Sequence, residues 1–321
     1  MTDDPDVSGR IERPLDLWRL QQFVTTARAP SITAAAGELF ISQQALSAAL
    51  RGLERDLGVD LFDRGRRGTR LTPAGRELLA SAPALLSAVR TAARSTRQAA
   101  VEPRPPFVVG HTPAIPSSEV FDLVRPLLVE DADLAITVRA VFPTAIGSAL
   151  FDGEIDLALR RGITTPADLA TSIVAYHPLR VAVAATHPLA DRSSVSTTEL
   201  APHPLIVWAP QHHSAYTDYL VAHCRRSGFE PELITNRMQG TAPLTAPLVY
   251  PEGYAFVTDD PGPAHHRTVR ILDLDDPPMA PVQAVWAPHT VHPVRTRLLE
   301  IHPPPNPGAS SSTPPPTPTA G

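Results

Sequence analysis

The chain has 321 residues, 43% of them hydrophobic and 19% charged, with a formal net charge of −5; this is ordinary for a soluble protein of two or three domains. No apolar run approaches the ~20 residues of a membrane helix, the opening MTDDPDVSGR is not a secretory signal, and the one cysteine, Cys224, excludes an internal disulfide framework and fits a reducing cytoplasm. Between Arg13 and Ala100 thirteen arginines stand against seven acids, whereas beyond that fourteen stand against 22, the pattern of a nucleic-acid-binding head on a body that avoids the polymer.

Residues 1–13 lack apolar periodicity and are expected to be a disordered leader. Asp16 is a candidate N-cap for a helix carrying Leu17, Leu20, Phe23, Val24 and Ala27, which Pro30 ends. Ser31 caps a second helix with the small residues Ala35 and Ala36, and Ser42 caps a third, which Gly58 stops. In that third helix Leu46, Leu50, Leu53 and Leu57 recur at helical spacing, an apolar stripe for a core. Gln44, Ser47, Ala48 and Arg51 share the opposite side, alongside Gln43. Small, uncharged or basic hydrogen-bonding groups there suit a DNA groove, where acids would meet phosphate repulsion. Residues 31–58 therefore read as a helix-turn-helix.

Residues 59–71 follow as a hairpin wing. Leu61 and Phe62 anchor it, and Arg64, Arg66, Arg67 and Arg70 around two glycines would lie against the phosphate backbone. Thr72-Pro73 starts a helix whose apolar positions run to about Ala100, roughly 42 Å at 1.5 Å per residue. That length suggests pairing with a second copy. Pro83 interrupts the pattern and predicts a kink, or a restart capped by Ser81.

Residues 102–106 read as a stiff proline hinge. Beyond it the pattern alternates. Strands are expected at 107–110, 134–141 and 155–159, with a helix starting at Ser117 or Ser118 that buries Val120, Phe121, Val124, Leu127 and Leu128, and another at 145–153. This βαβαβ order argues a parallel sheet wrapped by helices. A second unit has strands at 179–185, 205–207 and 254–257 and helical segments at 196–200 and 214–227. Strands at 270–274 and 282–286 and a helix at 293–301 follow, then a Pro/Ser/Thr tail from 303 expected to be disordered.

The order Phe23-Val24, Ser31, Ala35-Ala36, Leu39, Ser42-Gln43, Ala45-Leu46-Ser47, Leu53-Glu54, Leu57-Gly58, Leu61-Phe62, Arg64, Leu71-Thr72, Ala74-Gly75 resembles the LysR-type transcriptional regulators. Fainter echoes continue in Gly153–Leu159, His187–Ala190, Leu200-Ala201 and Pro204–Ile206. The resemblance implies an α/β multidomain chain: a winged helix-turn-helix at 14–72, a linker helix for dimerisation at 73–102, and an effector domain at 105–302 resembling type 2 periplasmic binding proteins. Its lobes would be 105–162 with 268–302, and 163–267, with the chain crossing near 162–168 and 266–271. It further implies promoter DNA, a small-molecule effector, a second copy in a dimer or tetramer and, indirectly, RNA polymerase as partners. Ser31 and Thr33 join the expected DNA contacts. The chain departs from the family at Gln44, where proline is common, at Ala48, where arginine is frequent, and at 239–251, where prolines interrupt a small-residue helix.

Ligands of open α/β sheets sit beyond strand C-termini. That nominates His111, Thr112, Pro113, Phe142, Pro143, Arg160, Arg161, Trp208, Gln239, Gly240 and Thr241 as effector contacts, with an arginine available for a carboxylate. Ser117 and Ser118 open a helix whose free N–H groups could hold an anion. The alternative, that the hydroxyls cap a helix and the arginines pair with local acids, stays open residue by residue. The proline-interrupted stretch equally allows a ligand-independent regulator with a degenerate cleft. No metal or cofactor is expected: all twelve histidines follow residue 110, and the pairs His212-His213 and His265-His266 lack other ligands at metal spacing. Enzyme signatures such as Gly-x-Ser-x-Gly or His-Glu-x-x-His are missing.

Overall fold

The computed structural model describes residues 15–65, 68–101, 105–166 and 168–304. They fall into two compact units divided between residues 93 and 94; the expected leader, most of the tail and residues 102–104 of the hinge lie outside the described residues. No helix among the described residues is long and apolar enough to cross a membrane.

The first unit holds α1 (Leu17–Arg28), α2 (Ile32–Glu38), α3 (Gln43–Leu57), the hairpin of β1 (Phe62–Gly65) and β2 (Gly68–Leu71), and the start of α4 (Pro73–Val101). Its helix starts are side-chain capped. Asp16 accepts from the Trp18 N–H (2.9 Å), Ser31 from Ala34 (3.1 Å), Ser42 from Ala45 (3.1 Å) and Thr72 from Gly75 (3.0 Å). Each cap satisfies an otherwise orphaned donor. Gly58 ends α3 with φ 71°, where a side chain would strain. Leu20, Phe23, Leu46, Leu50 and Leu53, all at most 2% exposed, form the shared core, each worth about 1.5–3 kcal/mol of transfer energy. Leu57, expected on the same stripe, is 36% exposed at the end of the helix.

Pro83 does not restart α4, which runs on from Pro73 to Val101. Ser81 caps nothing and instead donates to the Glu77 carbonyl (3.0 Å). One proline removes one rung, and the ladder on either side carries the helix past it.

The second unit has two sheets, each the floor of a lobe. Lobe I contains β3 (Phe107–His111), α5 (Ser117–Glu130), β4 (Ile136–Ala140), α6 (Ile146–Phe151), β5 (Leu157–Arg161) and β6 (Ala170–Pro178). Lobe II contains β7 (Arg180–Ala184), β8 (Ser194–Val195), β9 (Leu205–Val207), α7 (Ala215–Arg226), β10 (Leu233–Thr235), β11 (Tyr254–Val257), β12 (Gly262–Ala264) and β13 (Val269–Leu274). The chain then returns to lobe I with β14 (Met279–Trp286) and α8 (Pro293–Ile301). The lobe I order is β4-β3-β5-β14-β6; in lobe II it is β10-β9-β11-β7-β13-β12, with β8 beside β13.

Helices cover both faces of lobe I. Val120, Val124 and Leu127 of α5 and Leu298 of α8 pack on one side of the sheet, and Ile146 and Leu150 of α6 on the other. In lobe II, Leu220 and Cys224 of α7 pack on one face, and a 3-10 helix, Pro243–Leu248, covers the other through Ala246. The prolines of 239–251 therefore build a wall rather than remove one, because Pro243 stands at the first turn, where its missing N–H costs nothing.

Three expectations need correction. The sheets are mixed: β3 is parallel to β4 and β5, but β14 is antiparallel to β5 and β6, and β7 to β11 and β13. The lobe crossings fall later than expected, between Pro178 and Arg180 and between Leu274 and Met279, because β6 hydrogen-bonds β14 along its whole length while β13 pairs with β7. Helix α5 does start at Ser117 as expected, with Pro116 in extended conformation at the N-cap position, so the alternative in which the serine hydroxyls cap it does not hold. Phe121 is exposed on α5, and Leu123 is buried in its place.

Candidate nucleic-acid interface and ligand cleft

Helix α3 presents two chemically different sides. Leu46, Leu50 and Leu53 face the core, while Gln43, Gln44, Ala48 and Arg51 are exposed and Ser47 is half-exposed. The Ser31 and Ser42 hydroxyls accept from backbone at the helix starts, which leaves each O–H free to donate outward; Thr33, two residues after Ser31, is exposed.

The β1–β2 hairpin brings Arg70 beside this helix. Arg51, Arg70 and Arg76 line one recess of about 670 Å³ between α3, the hairpin and the start of α4, together with the acids Glu54, Asp60 and Asp63. Arg66 and Arg67 lie outside the described residues, as does the side chain of Arg64. The hairpin is held by a residue that the sequence shows only as part of the family pattern: Glu54, buried on α3, accepts through Oε1 from the N–H groups of Leu61 (3.1 Å) and Phe62 (3.3 Å). That acid serves the fold by satisfying two buried backbone donors.

Between the lobes, two contacts bracket the ends of the parallel strands. Phe142 of lobe I lies against Gly240 of lobe II, so closely that a Cβ on Gly240 would sit 3.2 Å from the ring. Arg161, at the end of β5, donates to Thr258 Oγ1 of lobe II (2.7 Å). Thr112, Arg160 and Trp208 occupy strand ends of the same two sheets, and Gln239 lies four residues beyond β10.

The two neighbouring arginines have different surroundings. Arg161 is buried and donates to Glu119 on α5 (2.8 Å to Oε1), whose carboxylate also lies 3.1 Å from His177 Nε2. Its charge is spent inside the protein, so Arg161 is withdrawn from the ligand set. The alternate-residue pattern of β5 turns Arg160 to the other face of the sheet. There Arg160 donates to Gln283 Oε1 (2.9 Å) and to the Thr164 carbonyl (2.6 Å), and among the described residues no carboxylate pairs with it. Burial pulls its pKa below the ordinary guanidinium value. On the Glu119 side, burial depresses His177 against the opposing pull of Glu119, and pushes Tyr216 up to about 12.

Several nominated residues are engaged locally. His111 Nδ1 lies 3.0 Å from the Ile115 carbonyl. Gln239 donates to the Asn236 (2.8 Å) and Trp208 (3.3 Å) carbonyls, bracing the ends of β9 and β10. Thr241 Oγ1 donates to the Met238 carbonyl (3.4 Å). Pro113 is half-buried, and Pro143 begins a short exposed turn. Thr112, by contrast, is 4% exposed, and its hydroxyl has no hydrogen-bond partner among the described residues. Glu119, Thr258, Gln283 and Asn236 were missed by the sequence reading, since each belongs to the site through contacts distant along the chain.

Residues 17–76 match the family model described as bacterial regulatory helix-turn-helix protein, lysR family, and residues 100–300 match the LysR substrate binding domain. The chain is similar to the uncharacterized HTH-type transcriptional regulator YnfL of Escherichia coli (strain K12), 25% identical and covering 90% of this chain and 97% of that one. It is also similar to the HTH-type transcriptional regulator BudR of Raoultella terrigena, 28% identical over 67% of this chain and 75% of that one. Among solved structures, the LysR family transcriptional regulator CbnR matches with a TM-score of 0.51 and 20% identity, covering 89% of this chain and 99% of that one, which supports the fold. With a family model matched over well more than half of its length, the chain belongs to the LysR family of bacterial helix-turn-helix transcriptional regulators.

Proposed function

We propose that α3 enters the major groove of promoter DNA, that the hairpin rides the adjacent backbone, and that a small anionic effector bound between the two lobes biases the DNA-binding state. The observation carrying the DNA assignment is the exposed, acid-free side of α3 formed by Gln43, Gln44, Ser47, Ala48 and Arg51, opposite leucines at most 2% exposed. Gln and Arg are suited to bidentate hydrogen bonding with base edges, and Ser31, Ser42, Thr33, Arg64 and Arg70 to phosphate. Exposed Leu85 and Val89 on α4 suit pairing with a second copy. An effector acts by binding one lobe arrangement better than another, which shifts the population toward it. Thr112 and Arg160 are its strongest polar contacts in lobe I, with Phe142 and Gly240 at the mouth.

Footprinting of the purified protein on DNA upstream of its own gene, with quantitative binding of variants, tests this reading. Arg51→Ala or Gln43→Ala should cost about 1–3 kcal/mol and relax preference at one base position. Arg70→Ala should weaken all sequences alike and reduce the salt slope by about one. The opposite pattern would reverse the roles of helix and hairpin, and no footprint at all would end the DNA assignment. DNA binding that no small molecule changes would favour the ligand-independent alternative.

A further inference from the structure

Three buried side-chain atoms of the second unit share an unusual position. Thr112 Oγ1, Trp208 Nε1 and Asn236 Nδ2 make no hydrogen bond with any described residue, although an unpaired buried polar group is costly. Thr112 is the first residue after β3, Trp208 the first after β9, and Asn236 the first after β10. Each of these strands runs parallel to a neighbour in its sheet, and the space beyond the C-terminal ends of parallel strands is where open α/β sheets hold ligands. Thr112 and Asn236 are 4% and 1% exposed, so these are built positions rather than loose surface groups.

The chemistry of the set is one-sided. Arg160 and the Trp208 indole can only donate. The Asn236 side-chain oxygen accepts from the Met238 N–H (3.0 Å), and it is the amide nitrogen that is left without a partner. Thr112 can do either. Glu119, on the other face of the sheet, is paired with Arg161. The donors are split between lobes, Thr112 and Arg160 in lobe I, Trp208 and Asn236 in lobe II. Register places Thr112 and Arg160 together: His111 pairs with Leu159 and the Thr112 N–H donates to the Leu159 carbonyl (3.0 Å), so the next positions on the two strands are Thr112 and Arg160.

Resting on the ligand-sensing reading above, we propose that the cleft takes a small anion with acceptor oxygens at both ends and no amine, a short dicarboxylate in its simplest form. One carboxylate sits on Arg160 and Thr112, and the other meets Trp208 and Asn236, so a single molecule ties lobe I to lobe II. An ammonium group at either end would find donors where it needs acceptors, and at the first it would also face the Arg160 charge.

Titration calorimetry of the full-length protein with malonate, succinate and glutarate tests this, with succinamide and 4-aminobutyrate as controls of similar length. At least one diacid should bind about tenfold or more tighter than either control. Arg160→Gln should weaken that diacid about tenfold or more, and Trp208→Phe, which deletes one N–H, should weaken it severalfold. Melting temperature and circular dichroism establish that each variant is folded; if Arg160→Gln does not fold, the Trp208→Phe result decides. Equal binding of succinamide or 4-aminobutyrate, or undiminished diacid binding by a folded Arg160→Gln protein, overturns the proposed ligand class while leaving a ligand-binding cleft in place. Failure of every probe, charged or neutral, overturns both the ligand class and the sensing role assigned to these residues.

Discussion

Phe40 sits in the turn between α2 and α3 with φ 54° and is 95% exposed. The Ile41 N–H reaches back to the Ala36 carbonyl (3.0 Å), closing α2 in the manner that usually places glycine at the left-handed position. A bulky side chain pays about 1–2 kcal/mol for that conformation, and full exposure returns no burial. Phe40→Gly should therefore raise stability by about 1 kcal/mol, after allowance for glycine's greater unfolded-state entropy, measurable as a higher denaturant midpoint. Gly75 is the converse case: a Cβ there would lie 2.2 Å from the Leu61 carbonyl oxygen. Gly75→Ala must push α4 off the hairpin and should cost about 1–3 kcal/mol or more. Equal stability of Gly75→Ala and the parent protein would show that the two elements part freely. Gly75 was visible in the sequence only as part of a family pattern; its physical reason is a backbone atom fourteen residues earlier, which periodicity cannot reveal.

Among elements, the hairpin depends on α3 for its attachment. Glu54 satisfies two buried backbone donors of residues 61 and 62, so Glu54→Ala should cost about 1–3 kcal/mol for each donor left unpaired. It should also weaken DNA binding generally, because Arg70 is then no longer held beside Arg51. Stability would be read by denaturant unfolding and binding by salt-dependent titration; a loss confined to one base position would point to a direct contact instead. Caps and stops were legible because they are local: Asp16, Ser31, Ser42 and Thr72 each act within three residues of themselves. The role of Glu54 was not, since a glutamate late in an amphipathic helix is equally compatible with solvent.

At the scale of the whole molecule, three histidines of the second unit link stability to pH. His177, His187 and His223 are all held below the ordinary histidine value of 6.5, chiefly by burial. Arg226 adds to the effect at His223 and His203 at His187, while Glu119 opposes it at His177. Below about pH 6.5 the unfolded chain binds more protons than the folded one at these sites, so stability is full above that value and falls as the pH drops through it. Chemical denaturation at constant ionic strength should give a lower midpoint at pH 5.5 than at pH 7.5, and His187→Gln should shrink the difference. An unchanged midpoint would mean that the three imidazoles are hydrated in the folded protein.

By itself, the sequence determined the winged helix-turn-helix and its polar face, the long helix after it, and the alternation of strands and helices beyond, because caps, turn residues and apolar periods act over a few residues; the division into two lobes was legible only through the family resemblance. Only the tertiary structure decided which sheet each crossing strand joins, since β6 and β14 meet about a hundred residues apart along the chain. It also separated Arg160 from Arg161. The two are adjacent and chemically identical, yet one is neutralised by Glu119, 42 residues away, and the other is not. Local interactions are written in neighbouring letters, whereas the pairing of a buried charge depends on which distant side chain the fold brings within hydrogen-bond reach.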